Sequence, residues 1–192
     1  MPGVIRAGTP LLPFTLFDSR DLPFSSSALL VRGPLVITLT RGSWCPYCVA
    51  DLIALERRAR DFAALGATLV ALSPERAPRG DRLRAERGLS FPLLVDKGLH
   101  VARSLGLAYD LPADACALYR DVHHLDLGEI NADGRWALPV TARVVVDAAG
   151  IVRHVAADPD HTRRTDPLVT LAVLRAIGAA APARNVQRLT RP

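Results

Sequence analysis

Two cysteines placed between a buried strand and a helix constrain this chain more than any other feature. Residues 35–40 form a short apolar run rich in β-branched side chains, which is typical of a strand buried on both faces. Cys45, Pro46, Tyr47 and Cys48 follow shortly after this run. Because proline is favoured at the first position of a helix, this order predicts a helix that begins here with Cys45 near its N-cap.

The residues after the cysteines continue that helix. Apolar side chains recur in steps of four and three residues, as one face of a helix requires, at Cys48, Leu52, Leu55, Ala59 and Phe62. Gly66 follows the last of them and is suited to the C-terminal end of a helix. The pattern therefore predicts one continuous helix from Cys45 to about residue 65.

Strands and helices alternate along most of the remaining chain. Strands are predicted at 67–73 and 91–95, helices at 79–87, 98–105 and 166–177, and a hairpin from 143–146 to 151–155. Residues 111–139 show no periodicity and are expected to be irregular. The order predicts an α/β fold, a single domain over residues 1–178 with a mixed central sheet flanked by helices. Residues 179–192, rich in Ala, Arg and Pro, are expected to be a flexible tail.

Composition limits the class of protein. The chain has 192 residues, of which 49% are hydrophobic and 22% charged, which suits one domain with its own core and excludes general disorder. No apolar run approaches the roughly 20 residues of a membrane-spanning helix. The N-terminus also lacks the apolar segment of a signal peptide, so we expect a cytoplasmic protein with no membrane partner.

The net charge of +5 does not indicate a nucleic-acid partner. All but one of the 24 basic residues are arginines, the exception being Lys97. The arginines are scattered along the chain among Asp and Glu, with no basic stripe and no aromatic pattern for stacking bases. We therefore expect no nucleic-acid binding.

The cysteine pair predicts thiol chemistry. The backbone N–H groups and the dipole at a helix N-terminus favour an anion, so the pKa of Cys45 is expected to be lowered, with Arg41 as a candidate to assist. Cys48 lies nearly one turn further into the helix and is placed to resolve an oxidised Cys45 by forming a disulfide. Two alternatives are a pair of buried thiols that act only as small hydrophobic residues and a zinc site. Zinc is disfavoured because no second ligand pair has suitable spacing, so no metal is expected.

Several segments resemble the AhpC/TSA (alkyl hydroperoxide reductase/thiol-specific antioxidant) family of peroxiredoxin-like proteins, within the thioredoxin superfamily. The segments are 8–10 with 13–16, 41–48, 91–96 with 101–103, and 158–160 with 163–164. The resemblance implies a thioredoxin-like fold with a peroxiredoxin-type N-terminal extension. It also implies a hydroperoxide or disulfide substrate, an external thiol reductant of the thioredoxin or glutathione type, and no bound cofactor, and it allows a homodimer.

The sequence departs from the family pattern at two places. Peroxiredoxins carry Pro and Thr or Ser seven and three residues before the cysteine that reacts with peroxide, and neither Cys45 nor Cys48 has both. The resemblance places the family's peroxide-site arginine near Thr141, and Arg143, on the same face of the strand, is the candidate to replace it. Trp44 and Tyr47, beside the cysteines, are expected either to contact a substrate or partner or to pack the loop.

Three functions fit these residues. The first is a thiol-dependent antioxidant enzyme that reduces hydroperoxides through Cys45 and Cys48. The second keeps the same cysteines but acts on protein or mixed disulfides, since a reactive thiolate exchanges with disulfides without peroxide-activating groups. The third is a non-catalytic redox sensor that changes partners when the pair forms a disulfide.

Overall fold

The computed structural model describes residues 3–18 and 21–180. The strands are β1 (Thr15–Phe17), β2 (Pro23–Ser25), β3 (Leu35–Leu39), β4 (Thr68–Ser73), β5 (Leu93–Val95), β6 (Ala108–Asp110), β7 (Ala137–Pro139), β8 (Ala142–Val146) and β9 (Val152–Ala157). The helices are α1 (Ser26–Arg32), α2 (Pro46–Glu56), α3 (Ala59–Ala64), α4 (Ala77–Arg87), α5 (His100–Ser104), α6 (Ala113–Ala117), α7 (Leu127–Ile130) and α8 (Pro167–Ala180). A 3-10 turn (Lys97–Leu99) precedes α5, and a π-helical turn (Leu118–Val122) follows α6.

A seven-stranded mixed sheet runs through the middle of the molecule. Its strand order is β2-β1-β5-β4-β3-β8-β9, with β3, β4 and β5 parallel and the other pairings antiparallel. All five residues of β3 are buried, as the apolar run predicts. The mixed α/β fold expected from the sequence is therefore confirmed, and the central strand delivers the cysteine loop to one edge of the sheet.

Helix α2 packs on one face of this sheet and carries the cysteines with it. Leu52 and Leu55 are buried in a cluster with Val36 of β3, Val145 of β8 and Leu171 of α8. A second buried cluster covers the other face, where the N-terminal strands and α5 pack. Because buried apolar contacts join α2 to β3, β8 and α8, the start of this helix has a fixed position relative to β3.

The prediction of one continuous helix after the cysteines is wrong. The chain forms α2 and α3 with a break at Arg57 and Arg58. The last turn of α2 tightens, since Arg58 N donates to Leu55 O three residues back. The restart in α3 still places Phe62 in the core, which explains why the apolar spacing looked uninterrupted.

The other regular elements lie close to their predicted places. Helix α4 ends at Gly88, which adopts φ 62° as a glycine C-cap does, and the hairpin of β8 and β9 is present. The last helix does not stop at Gly178 but continues to Ala180. The first two residues of the tail expected at 179–192 therefore belong to the helix. Residues 181–192 lie outside the described part of the chain.

Residues 111–139, expected to be irregular, contain regular structure. They form α6, the π-helical turn, α7 and β7, each three to five residues long and too short to show a periodicity. The segment has its own small core of Leu127, Ile130 and Leu138, with Trp44 of the cysteine loop packed against it. It therefore forms a cap over the loop, called the cap segment below (residues 111–139).

A buried ion pair fixes α2 to the central sheet. Arg143 of β8 donates from Nη2 to both carboxylate oxygens of Asp51 on α2, at 2.6 and 2.8 Å. Their side chains are only 2% and 9% exposed. Breaking a buried pair leaves an uncompensated charge, so each partner is needed while the other is present.

Replacing Arg143 by Met is expected to destabilise the protein by about 3 to 5 kcal/mol, because it leaves Asp51 buried without its partner. The double variant Arg143→Met/Asp51→Leu should recover most of this loss, which urea unfolding of the single and double variants measures. A double variant that is no more stable than Arg143→Met would show that the pair is not coupled.

Candidate active site at the start of helix α2

The cysteine loop leaves β3 and enters α2 at Cys45. Cys45 is the N-cap, and its Sγ accepts the backbone N–H of Cys48 at 3.3 Å. Pro46 occupies the first turn of the helix, where its missing N–H costs nothing. The sequence predicted this placement of Cys45, Pro46 and Cys48, and it holds.

A buried carboxylate fixes the loop before Cys45. Glu75, which is 2% exposed, accepts from Ser43 N at 2.8 Å and from Ser43 Oγ at 2.7 Å, and also pairs with Arg79. Gly42 adopts φ 140°, and a Cβ there would lie 2.7 Å from Trp44 Nε1. The loop therefore requires glycine at position 42, and the hydrogen bonds from Ser43 to Glu75 fix the loop backbone before Cys45.

Arg41 lies under the loop and contacts the first thiol. Its Nη2 donates to Cys45 Sγ at 3.2 Å and its Nη1 donates to Tyr119 Oη at 3.0 Å. The guanidinium also lies 5.1 Å from the centre of the Trp44 ring. Arg41 is only 4% exposed, so it places a positive charge against Cys45 in a position shielded from water.

A second arginine, which the sequence did not single out, contacts the second thiol. Arg164 Nη2 donates to Cys48 Sγ at 3.2 Å, while its Nη1 donates to the carbonyls of His161 and Arg163. Arg164 stands 116 residues from Cys48 in the chain, and only the fold brings the two together. The family-like run at 158–164 was the signal for this region, but it carried no indication of this contact.

The pKa values of the two thiols are shifted in opposite directions. The pKa of Cys48 is lowered to about 5, first by its hydrogen bond with Cys45 and then by the Thr40 hydroxyl, the Arg41 backbone N–H and the charge of Arg164. The pKa of Cys45 is raised, first by the same hydrogen bond, then by burial and by the charge on Cys48. The expectation of a lowered pKa at Cys45 is therefore wrong while Cys48 carries the charge.

Thr141 and Arg143 line a cavity next to the pair. The cavity has a volume of about 410 Å³, and Arg164 lies in its wall. The hydrogen bonds of Arg143 go to Asp51, the carbonyl of Thr165 and the hydroxyl of Thr170. Arg41 and Arg164, rather than Arg143, are the arginines that contact the sulfurs.

The two aromatic residues of the loop have different surroundings. Trp44 packs edge-on against Tyr119 of the cap segment, with ring centres 5.8 Å apart. Tyr47 is 45% exposed and lies against His161. Of the two expected roles, packing therefore describes Trp44, whereas Tyr47 is accessible to a substrate or partner.

Both sulfurs are reduced and buried. Cys45 is 0% exposed and Cys48 is 2% exposed, and Cys116 is a third free cysteine on the cap segment. Within residues 3–18 and 21–180, no group of three His, Cys, Asp or Glu side chains could hold a metal ion. In the same residues, no helix is long and apolar enough to cross a membrane.

Comparison with known proteins identifies the family. The AhpC/TSA family pattern matches residues 7–155. The chain belongs to the AhpC/TSA family. As a member it is a thiol-dependent antioxidant oxidoreductase, as the sequence indicated.

Two relatives of this AhpC/TSA protein cover about half of its chain. A Mycobacterium tuberculosis protein named as a peroxiredoxin is 26% identical over 103 residues, which are 54% of this chain and 67% of that protein. ResA, a thiol-disulfide oxidoreductase of Halalkalibacterium halodurans, is 27% identical over 103 residues, which are 53% of this chain and 57% of ResA.

Solved structures share the fold of this AhpC/TSA chain. Peroxidoxin BcpB from Mycobacterium tuberculosis has a TM-score of 0.73 at 22% identity, over 90% of this chain and 98% of that chain. Reduced Prx3 from Vibrio vulnificus, solved with H₂O₂, has a TM-score of 0.69 at 16% identity, over 89% and 99% of the two chains. These likenesses confirm the thioredoxin-like fold with its peroxiredoxin-type N-terminal extension.

The pKa shifts of Cys45 and Cys48 predict how the thiols titrate. Ultraviolet absorbance of the reduced protein should show one thiolate of the pair appearing with a midpoint near pH 5, and this thiolate is lost as the pH falls below that value. Arg164→Gln should raise the midpoint, because it removes a positive charge that lowers the pKa of Cys48.

Arg163→Gln is the matched control, since Arg163 is the neighbouring arginine and its ion pairs are with Asp158 and Asp160. It should leave the midpoint close to that of the wild type. Equal midpoints in all three proteins would contradict the assignment of Arg164 to the Cys48 thiolate.

Proposed function

We propose that this AhpC/TSA protein reduces hydroperoxides through Cys45 and Cys48 and is returned to the reduced state by an external thiol. The observation that carries the proposal is the arrangement of two sulfurs that share one proton between two arginines, Arg41 and Arg164. One thiolate is ready to attack, and the second thiol is ready to donate a proton and then to form the disulfide.

Cys45 is the attacking cysteine in this proposal, as the sequence suggested. Two of the causes that raise its pKa, the hydrogen bond and the negative charge, come from Cys48. Arg41 and the backbone N–H of Cys48 both favour a charge on Cys45. Transfer of the shared proton along the hydrogen bond from Cys45 to Cys48 therefore moves the thiolate to the helix N-terminus without bringing a new charge into the site.

The two cysteines supply the two electrons that reduce the hydroperoxide, and the Cys48 thiol and solvent each supply one proton. The Cys45 thiolate attacks the terminal oxygen of ROOH, the S–O bond forms as the O–O bond breaks, and the alkoxide takes the proton of the Cys48 thiol to leave as ROH. The Cys48 thiolate then attacks the sulfur of the sulfenic acid, the S–S bond forms as the S–O bond breaks, and the hydroxide takes a proton from solvent to leave as water. An external thiol donor supplies two electrons, and one proton is taken up, to restore one thiolate and one thiol.

The donor, the location and the assembly complete the proposal. A thioredoxin-type reductant is what AhpC/TSA membership implies, and a glutathione-type thiol is the other donor that the sequence suggested. The exposed ring of Tyr47 beside the pair is a suitable contact for such a partner. The cytoplasmic location and a homodimer stay predictions from the sequence.

The test is the reaction of reduced protein with a hydroperoxide. The Cys48→Ser variant should form a sulfenic acid at Cys45, trapped chemically and located by mass spectrometry, about a hundredfold or more faster than a free thiol reacts. The Cys45→Ser variant should react much more slowly, and Cys116→Ser, the matched control, should behave like the wild type.

Two outcomes would contradict parts of this account. Reaction of the wild type no faster than that of a free thiol would eliminate the peroxidase function. Rapid sulfenic acid formation only at Cys48, in Cys45→Ser, would keep the peroxidase but reverse the order of the two cysteines.

A second candidate function is reduction of disulfides in proteins or mixed disulfides. It is favoured by Thr141, which stands where the family resemblance places the peroxide-site arginine, and by the partial likeness to ResA. Rapid reduction of insulin disulfides together with slow peroxide reaction would select this function. A pair that oxidises but is inactive in both assays would leave the sensor function.

A further inference from the structure

The cavity beside the thiol pair has a chemical character that the proposed peroxidase steps do not use. It lies where β8 and β9 meet the segment 158–165 and has a volume of about 410 Å³. Its wall contains three arginines and two aspartates: Arg143, Arg163, Arg164, Asp51 and Asp158. The lining therefore has a net charge of +1.

Not all of these charges are available to a ligand. Arg143 and Asp51 are paired through two short hydrogen bonds and are both buried. Arg163 lies 3.9 Å from Asp158 and 3.5 Å from Asp160, which are long contacts, and its side chain is 74% exposed. Contacts of this kind between exposed groups are weak, so Arg163 is free to turn toward an anion in the cavity.

Arg164 connects this cavity to the redox pair. It lines the cavity, and its Nη2 donates to Cys48 Sγ at 3.2 Å. In the reduced protein, the excess positive charge of the lining therefore has the Cys48 thiolate as its partner. The pKa of nearby His161, lowered first by burial and then by the charges of Arg41 and Arg164, is consistent with positive potential in this region.

Two buried polar groups in the cavity wall have no hydrogen-bond partner. They are the hydroxyl of Thr141 and the Nε of Arg143, on residues that are 6% and 2% exposed. An unpaired buried donor costs free energy, and a ligand oxygen that accepts from it removes that cost. Thr141 thus offers a hydroxyl close to the position where the family resemblance places an arginine.

We propose that this cavity is a carboxylate-binding subsite whose affinity increases when Cys48 loses its negative charge on oxidation. Arg163 and Arg164 bind the carboxylate, and the Thr141 hydroxyl donates to it. The inference rests on the proposed redox role of the cysteine pair, in which a hydroperoxide supplies the oxidant. In the Cys45–Cys48 disulfide, Cys48 is neutral and Arg164 has no thiolate partner, so a carboxylate replaces the missing anion.

The expected effect is large enough to measure. A thiolate a few ångströms from a bound carboxylate repels it, and the repulsion is stronger at a protein surface than in bulk water. The oxidised protein should therefore bind a carboxylate about tenfold more tightly than the reduced protein. By reciprocity, a saturating carboxylate should lower the reduction potential of the pair by about 30 mV, the equivalent of a tenfold change for two electrons.

Calorimetric titration with glutarate tests the subsite, with neutral glutaramide as the matched probe. Cys48→Ser should bind glutarate about tenfold more tightly than Cys45→Ser at neutral pH. Only Cys45→Ser keeps the Cys48 sulfur against Arg164, and the serine hydroxyl in place of the Cys45 thiol can still donate a hydrogen bond that favours the Cys48 thiolate. This comparison needs no oxidation, so it is independent of any peroxide reaction. In the wild type, the disulfide form should bind more tightly than the reduced form.

Arginine variants of Cys48→Ser locate the binding. Adding Arg163→Gln should weaken glutarate binding about tenfold, whereas Arg60→Gln, which removes the same charge from α3, should have little effect. Glutarate binding no tighter than glutaramide binding would overturn the subsite, as would equal losses in the two arginine variants. Equal affinity of Cys48→Ser and Cys45→Ser for glutarate would overturn its link to the thiol.

Kinetic comparisons identify which reactant carries the carboxylate. Because the subsite favours the oxidised state, the reductant is the expected source. The ratio of disulfide reduction rates for 3-mercaptopropionate and 2-mercaptoethanol should then fall in Arg163→Gln and not in Arg60→Gln. A second ratio compares the rates at which the reduced protein reacts with a carboxylated hydroperoxide and with its methyl ester. If Arg163→Gln lowers only this second ratio, the peroxide is the source of the carboxylate and the assignment to the reductant is wrong.

Slow peroxide reaction with normal glutarate binding would overturn the proposed function and leave the subsite in place.

Discussion

The two arginine–sulfur contacts at the start of α2 determine what this molecule can do. A thiolate buried from water is unfavourable unless positive charge or hydrogen bonds compensate it. Here each sulfur accepts from one guanidinium at 3.2 Å, and the hydrogen bond between the two cysteines lowers the pKa of Cys48 and raises the pKa of Cys45. These pKa shifts favour a single negative charge on Cys48, and the proposed function requires that charge to move to Cys45.

The rest of the fold holds those contacts in place. Arg41 lies just after the central strand β3, which fixes its position. The Arg143–Asp51 pair fixes α2 to β8, and Glu75 fixes the loop between β3 and α2. The cap segment contributes Tyr119, which accepts from Arg41 and packs against Trp44. Because both sulfurs are buried beneath these groups, the same contacts that make the pair acidic also exclude water from it.

The sequence predicted the parts of the site that are local in the chain. The strand, the proline at the helix start and the two cysteines are adjacent, so propensity and capping determine their arrangement. Arg164 and Tyr119 could not be found in this way, because only the tertiary fold brings them to Cys48 and Arg41. The lowered pKa was expected at Cys45 because the N-cap was visible in the sequence, while the hydrogen bond between the sulfurs was not. The break after α2 was hidden because both helices present the same apolar face.

The most direct test of the account is to identify the product of the reduced protein with one equivalent of hydroperoxide. Mass spectrometry of peptides obtained without reduction should find Cys45 and Cys48 joined in one disulfide, with Cys116 still a free thiol and the intact protein lighter by two hydrogen atoms. A disulfide that includes Cys116, or a sulfenic acid that persists while the second thiol of the pair remains free, would contradict it.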